Sequence, residues 1–331
     1  MSGTDLHPAL HWHPEGSAVR CGLCPHRCLV SEGKRGICKV RENRGGKLYA
    51  LTYGKVSAVQ FDPVEKKPLY HFHPGKPILS IGSVGCNFHC GFCQNHHLVE
   101  CRVPLAPVPI PDLVRAAKRE GAVGISYTYN EPMIWFEFVM DCAREFRTAG
   151  LANVLVTNGY ISPEPLRELL PRVDAMNIDL KSMDPGFYRR ICGGTLEPVL
   201  DTIRESANAT HVELTTLLVT GENDSDGSIR EIVDFVAEVD PAIPLHLSRY
   251  MPMHRFTAPP TPPARLAAAF RIARERLPFV YVGNYHLEGA SDTGCPSCGR
   301  IVVQRHGYRT DRSGLSGNRC ASCSAALRFV V

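Results

Sequence analysis

From Lys76 onward the chain alternates between two kinds of segment, and that alternation limits its possible folds more than any other feature. Short, β-rich apolar runs recur: PILSIGS, VGISYTY, ANVLVTNG, AMNIDL, VELTTLLV, PLHLSRY and FVYVGNY. Segments of helical period separate most of them, among them PDLVRAAKRE, MIWFEFVMDCAREFRTAG and GSIREIVDFVAEV. Continuous apolar strands are those buried on both faces, as parallel strands are. The alternation predicts an α/β barrel or a doubly wound sheet, and both place their chemistry at the carboxyl ends of the strands. Polar residues gather there. GCNFHCGFCQN follows the first run, YNEP the second, TNGY the third and DLK the fourth.

Cysteine usage is the strongest compositional signal. Of 14 cysteines, 11 fall into three clusters: Cys21, Cys24, Cys28 and Cys38; Cys86, Cys90 and Cys93; Cys295, Cys298, Cys320 and Cys323. The first residues are polar and His-rich, with no apolar signal-peptide core, and no window has the apolar length of a membrane span. A cytoplasmic location follows as the default, and clustered thiols in a reducing compartment bind metal. Cys101, Cys142 and Cys192 stand alone and read as packing thiols. A formal net charge of +4 names no nucleic-acid or membrane partner by itself.

The central cluster, C-x3-C-x2-C, offers three thiolates where structural zinc and ferredoxin-type clusters take four. Three thiolates can hold three irons of a [4Fe-4S] cluster and leave the fourth iron open to a small molecule. The rival is a zinc site completed by His89, His96 or His97. The C-terminal cluster pairs two C-x2-C knuckles across 21 residues, the pattern of a zinc ribbon. Its intervening Arg300, Arg305, Arg309, Arg312 and Arg319 read as a solvated basic loop or as a surface for an acidic partner. The N-terminal cluster supplies four ligands, with His26 as a competitor. Zinc and an auxiliary iron–sulfur cluster both fit thiolates there, and zinc is the expectation.

The three-cysteine motif after the first strand, with Phe92 before its last cysteine, resembles the radical SAM superfamily. Nearly the whole chain, through CGLCPHRC, DPVEKKPLYHFHPG, YTYNEP, TNGY, NIDLK and TTLLVTGEND, resembles the AmmeMemoRadiSam-system radical SAM enzymes, a group similar to pyruvate formate-lyase activating enzyme. The resemblance implies a partial (β/α)6 TIM-like barrel at residues 76–288, between an N-terminal Cys-rich module (1–75) and a C-terminal zinc ribbon (289–331). It implies that Cys86, Cys90 and Cys93 hold a [4Fe-4S] cluster that cleaves S-adenosylmethionine (SAM) reductively. The resulting 5'-deoxyadenosyl radical takes hydrogen from a substrate. By the same resemblance Phe92 packs near the adenine, and Asn130 and Glu131 stand where a Gly-Gly-Glu motif receives the SAM amino group. Thr157 and Asn158 lie near the ribose and methionine, Asp179 and Lys181 form the Asp-Leu-Lys motif, and Arg249 is a further candidate.

The chain departs from the activating enzymes: it lacks the paired glycines before Glu131, has Val156 in place of an Asp, and has Met251 in place of a His. Implied partners are a low-potential ferredoxin or flavodoxin as electron donor and Memo-type proteins. The alternatives are a glycyl-radical-enzyme activase, a zinc-dependent nucleic-acid-binding protein, and a radical methylase with Cys192 as methyl acceptor. Lys66, Lys67, His71 and His73, just before the first strand, either line the substrate mouth or leave the lysines paired with Asp62 and Glu65 on the surface.

Overall fold

The computed structural model describes residues 6–331; residues 1–5, which belong to the polar N-terminal stretch, lie outside the described residues. The apolar runs become an eight-stranded sheet. Its strands, in chain order, are β1 (Ala58–Pro63), β2 (Pro77–Gly82), β3 (Gly124–Tyr127), β4 (Ala152–Thr157), β5 (Ala175–Asp179), β6 (His211–Leu218), β7 (Leu245–Arg249) and β8 (Val280–Gly283). They lie side by side in that order. β2 to β8 are parallel and β1 pairs antiparallel with β2. Every residue of β3 is buried, as the double-faced burial of parallel strands requires.

Six helices fill the crossovers: α1 (Ile110–Arg119), α2 (Phe136–Thr148), α3 (Pro163–Leu169), α4 (Glu197–Ala207), α5 (Asp226–Val239) and α6 (Pro263–Arg274). The expected six β/α units are therefore present, and β8 adds a seventh parallel strand beyond the six anticipated. The proline-rich entries to α1, α3, α4 and α6 follow the preference of proline for the first helical turn. Among the described residues no helix is long and apolar enough to cross a membrane.

Two features of the ends differ from the sequence reading. VSAVQF, expected within the N-terminal module, supplies β1 and so joins the central sheet across the anticipated boundary at residue 75. The C-terminal module docks on the segment between β1 and β2. The His71 ring stacks on Phe329 at 4.2 Å, and His73 N–H donates to Val330 O at 2.6 Å. Arg305, read as part of a basic loop, is 3% exposed. It stacks over Tyr70 at 4.2 Å and donates to the carbonyl oxygens of Tyr70 and Ser291. A planar guanidinium with an aromatic face and two carbonyls beside it is more stable packed than solvated. That removes one of the arginines a nucleic-acid surface would need.

A buried carboxylate ties this corner together. Glu213, the third residue of β6, accepts hydrogen bonds from the backbone N–H of Tyr70 (2.9 Å) and His71 (2.7 Å). It also accepts from the Nε2 atoms of His211 (3.0 Å) and His246 (2.7 Å). It thus fixes the segment that carries Lys66 and Lys67 over the carboxyl ends of the strands.

Candidate active site

The loop after β2 carries the three central cysteines. Its entry, Gly85, has φ +86°, a conformation glycine adopts without strain. A Cβ there would lie 2.5 Å from the carbonyl oxygen of Cys38 and 2.8 Å from the Val40 side chain. Gly85→Ala therefore is expected to destabilise the fold by about 3 kcal/mol, from left-handed strain plus overpacking, read as a lowered thermal midpoint. Further along, Gly91 leaves room for the Phe256 ring, 2.5 Å from where its Cβ would be. The loop is held by backbone bonds from His89 N–H to Cys192 O (2.8 Å) and from Arg255 N–H to Gly91 O (2.9 Å).

Cys86, Cys90 and Cys93 face one cavity of about 400 Å³, within the usual size of a small-molecule site. Phe92, Asn130, Glu131, Thr157, Asn158, Asp179 and Lys181, each singled out in the sequence, line the same cavity. They come from the ends of β3, β4 and β5 and the loop after β2. Arg249 is the exception: its Nε donates to Thr261 O at 3.0 Å and its guanidinium lies over Tyr285, so the cavity wall on that side is Ser248 and Asn284. Alternation along a strand explains it, since neighbours point to opposite faces.

The polar groups form one connected network. Glu131 is 3% exposed. Its Oε1 accepts from the Thr157 hydroxyl (2.7 Å) and Met133 N–H (2.9 Å), and its Oε2 from Asn158 N–H (2.8 Å). Burial raises its pKa to about 7 despite those donors. Asn130 braces the loop rather than pointing a free amide outward: its Oδ1 accepts from Ser83 N–H at 2.8 Å and its Nδ2 donates to Gly85 O at 3.1 Å. The Asn158 amide donates to Asn87 Oδ1 at 2.9 Å and approaches Cys86 Sγ at 3.6 Å. Asn87 donates in turn to Tyr160 O at 2.6 Å. Asn87 is a hub the sequence reading missed; its place one residue after the first cysteine was the available signal.

Lys181 Nζ binds Asp179 Oδ2 at 2.7 Å and lies 6.0 Å over the Phe92 ring. Burial opposes its charge, but the Asp179 carboxylate beside it outweighs burial and holds the ammonium well above its ordinary pKa. Lys67 also reaches the cavity while paired with Asp62 at 2.8 Å, and Lys66 lies beside it. The lysines therefore line the cavity, and their partner is the buried Asp62, while Glu65 turns away to Gly75 N–H and the Thr310 hydroxyl. His71 instead points into the protein, with Nε2 2.6 Å from the Tyr281 hydroxyl. Cys192 is fully buried and does not line the cavity, so it is poorly placed to accept a methyl group from a bound substrate.

The three thiols suit a cluster better than one zinc ion. Zinc draws thiolates to about 3.8 Å from one another, from its bond length of about 2.3 Å. Among the described residues, Cys86, Cys90 and Cys93 belong to no group of three Cys, His, Asp or Glu ligand atoms lying mutually within 4.8 Å. No histidine closes a site on them. His96 is turned toward Glu100, at 3.9 Å, and stacks on His254. Donors aimed at sulfur also fit a metal-bound thiolate: Phe88 N–H reaches Cys86 Sγ at 3.3 Å.

The sequence profile of the radical SAM superfamily matches residues 80–236, which span β3 to β6 and the cysteine loop. The chain belongs to the radical SAM superfamily. An uncharacterized protein of Methanocaldococcus jannaschii is 40% identical over 326 residues, covering 96% of this chain and 97% of that protein. A probable GTP 3',8-cyclase of Methanosarcina mazei is 28% identical over 179 residues, covering 50% of this chain and 52% of the cyclase. This radical SAM chain thus spans about half the length of that cyclase. Streptococcus suis SuiB, solved with S-adenosylmethionine bound, superposes with a TM-score of 0.51 at 17% identity over 63% of this chain and 52% of SuiB. That likeness is one of fold. The superfamily carries a [4Fe-4S] cluster and SAM, and its members are enzymes that need an electron donor.

The C-terminal thiols are arranged differently. Cys295, Cys298, Cys320 and Cys323 lie mutually within 4.8 Å, with Sγ–Sγ distances of 3.7 Å for Cys295–Cys323 and for Cys298–Cys320. Each pair sits on the same turn: Gly299 N–H bonds Cys295 O, and Ser324 N–H bonds Cys320 O.

Proposed function

We propose that Cys86, Cys90 and Cys93 hold the [4Fe-4S] cluster of a radical SAM enzyme and that the surrounding strand ends bind SAM. The observation that carries this reading is the convergence of three thiols, the Asp179–Lys181 pair and the Glu131 network on one cavity. When bound, the cluster supplies the electron that splits SAM into methionine and a 5'-deoxyadenosyl radical, which takes hydrogen from substrate. The protein's own residues orient and enclose. Lys181 offers a charged donor for the SAM carboxylate, held in place by Asp179. Phe92, 5% exposed on the cavity wall, supplies an apolar face for the adenine. Glu131 acts as a positioning residue: it aligns Thr157 and Asn158, and Asn158 in turn steadies Cys86.

The finer assignments follow the same reading. The sheet serves as a partial barrel at residues 76–288, and the chain is an oxidoreductase/lyase-type enzyme with a ferredoxin or flavodoxin as donor and a Memo-type protein as functional partner. The C-terminal four-cysteine group holds structural zinc; its 3.7 Å sulfur spacing supports that.

The test is SAM binding, followed through the change it causes in the electron paramagnetic resonance signal of the reduced cluster. Lys181→Met is expected to weaken SAM binding roughly thirtyfold, about 2 kcal/mol for a lost charge-assisted hydrogen bond. An unchanged affinity would remove Lys181 from the site, and a signal indifferent to SAM in the wild type would overturn the assignment.

A further inference from the structure

The N-terminal cysteines form a second, separate pocket. Cys21, Cys24, Cys28 and Cys38 line it together with the buried side chains of Leu23 and Ile134. It shares no lining residue with the SAM cavity. We propose that this pocket holds an auxiliary [4Fe-4S] cluster bound by all four thiolates, seated directly behind the SAM-binding cysteines.

Three observations carry the proposal. The first is spacing. One zinc ion needs its thiolates about 3.8 Å apart, and the C-terminal group meets that with sulfurs at 3.7 Å. Among the described residues, no three of Cys21, Cys24, Cys28 and Cys38 bring their sulfurs mutually within 4.8 Å. Cys86, Cys90 and Cys93 fail the same condition. The N-terminal and central sets thus both fall outside the spacing of a single zinc ion, which the C-terminal set meets, as expected where a multi-iron cluster takes one thiolate at each corner.

The second is an orphaned donor. Arg41 is 1% exposed and lines the pocket. Its Nη2 is satisfied by Glu137 Oε1 at 2.7 Å and Leu10 O at 2.6 Å, but its Nε is buried without a partner. A buried guanidinium N–H left unpaired is costly. The sulfide and thiolate sulfurs of an anionic cluster are acceptors of the right charge for it.

The third is the ligand set. His26, the competing ligand, lines the same pocket, but its Nε2 is engaged by the Asn87 carbonyl at 2.8 Å, and among the described residues its ring joins no close ligand group with the cysteines. Four thiolates remain, which ligate every iron of a cubane and leave no position open for SAM or substrate.

Adjacency follows from the chain itself. The Cys38 carbonyl abuts Gly85, and His26 binds the Asn87 carbonyl, so the residues on both sides of Cys86 touch the N-terminal module. A closed cluster in that position can pass one electron from a low-potential donor to the SAM-binding cluster. It is oxidised by one electron as the other is reduced by one. Iron at the N-terminal cysteines does not depend on SAM binding at Cys86, so the two assignments fail separately.

The test uses the full chain, reconstituted anaerobically with iron and sulfide. The wild type is expected to hold about eight irons, and the triple variant Cys86→Ala, Cys90→Ala, Cys93→Ala about four, with a signal that no longer responds to SAM. Because the variants can misfold, anomalous diffraction from wild-type crystals at the iron and zinc edges decides independently. Iron scattering at Cys21, Cys24, Cys28 and Cys38, with spin coupling between the two reduced clusters, supports the proposal. Zinc scattering at those cysteines, or about four irons in the wild type and none in the triple variant, overturns it.

Discussion

Cys90→Ala is expected to abolish reductive SAM cleavage, leaving less than roughly a thousandth of the wild-type rate, because the cofactor carries the chemistry and loses a ligand. The fold is expected to survive. Cys90 lies in a loop at the cavity wall, and its truncation costs about 1 kcal/mol. Loss of activity with an unchanged thermal midpoint separates a missing ligand from a collapsed protein. Cys142→Ala is the matching control. That thiol is buried in α2, far in sequence from the motif and absent from the cavity wall, so its loss is expected to lower stability and spare cleavage. If Cys90→Ala retained full cleavage, the motif would not be the catalytic centre.

Glu213→Ala is expected to be the most damaging single change outside the cysteines, destabilising the protein by about 3–5 kcal/mol. The substitution strands two backbone N–H groups and two imidazoles inside the protein, each now without its acceptor. It also frees the segment that positions Lys66 and Lys67 and receives the C-terminal module. The same carboxylate predicts a pH response. Burial works against its charge, yet hydrogen bonds from His211 and His246 outweigh burial and hold its pKa well below 4.5. A group whose folded pKa is depressed contributes stability above its unfolded pKa and loses it as pH falls through the folded value. Thermal stability is therefore expected to fall as the pH drops below about 4. In Glu213→Gln that acid-side slope should be shallower, on a lower overall stability. An identical slope in both proteins would show that Glu213 is not the group responsible.

The α/β class was legible because parallel strands leave long apolar runs and their crossovers leave helical periods. The candidate site was legible for a related reason. A buried strand tolerates polar residues poorly, so YNEP, TNGY and DLK stood out at the strand ends and converge on one cavity. What sequence concealed depended on direction and distance. Arg249 sits one residue past Ser248, and strand alternation sends it to the other side. Arg305 looked like part of a charged loop, because nothing in the local sequence announces Tyr70 as its stacking partner 235 residues away. The N-terminal cysteines fit zinc and an iron–sulfur cluster alike along the chain, because spacing in sequence does not carry the distances between sulfurs on which our auxiliary-cluster proposal rests. β1 was misassigned to the N-terminal module because antiparallel pairing with β2 leaves no crossover to mark it.

The most direct test of the central claim is product formation by the reconstituted wild-type protein. The full chain, held anaerobically with SAM and a strong one-electron reductant, is assayed for 5'-deoxyadenosine and methionine, with Cys90→Ala beside it. The account predicts both products in equal amounts from the wild type and neither from the variant. A wild-type protein that carries its iron but forms neither product would contradict it.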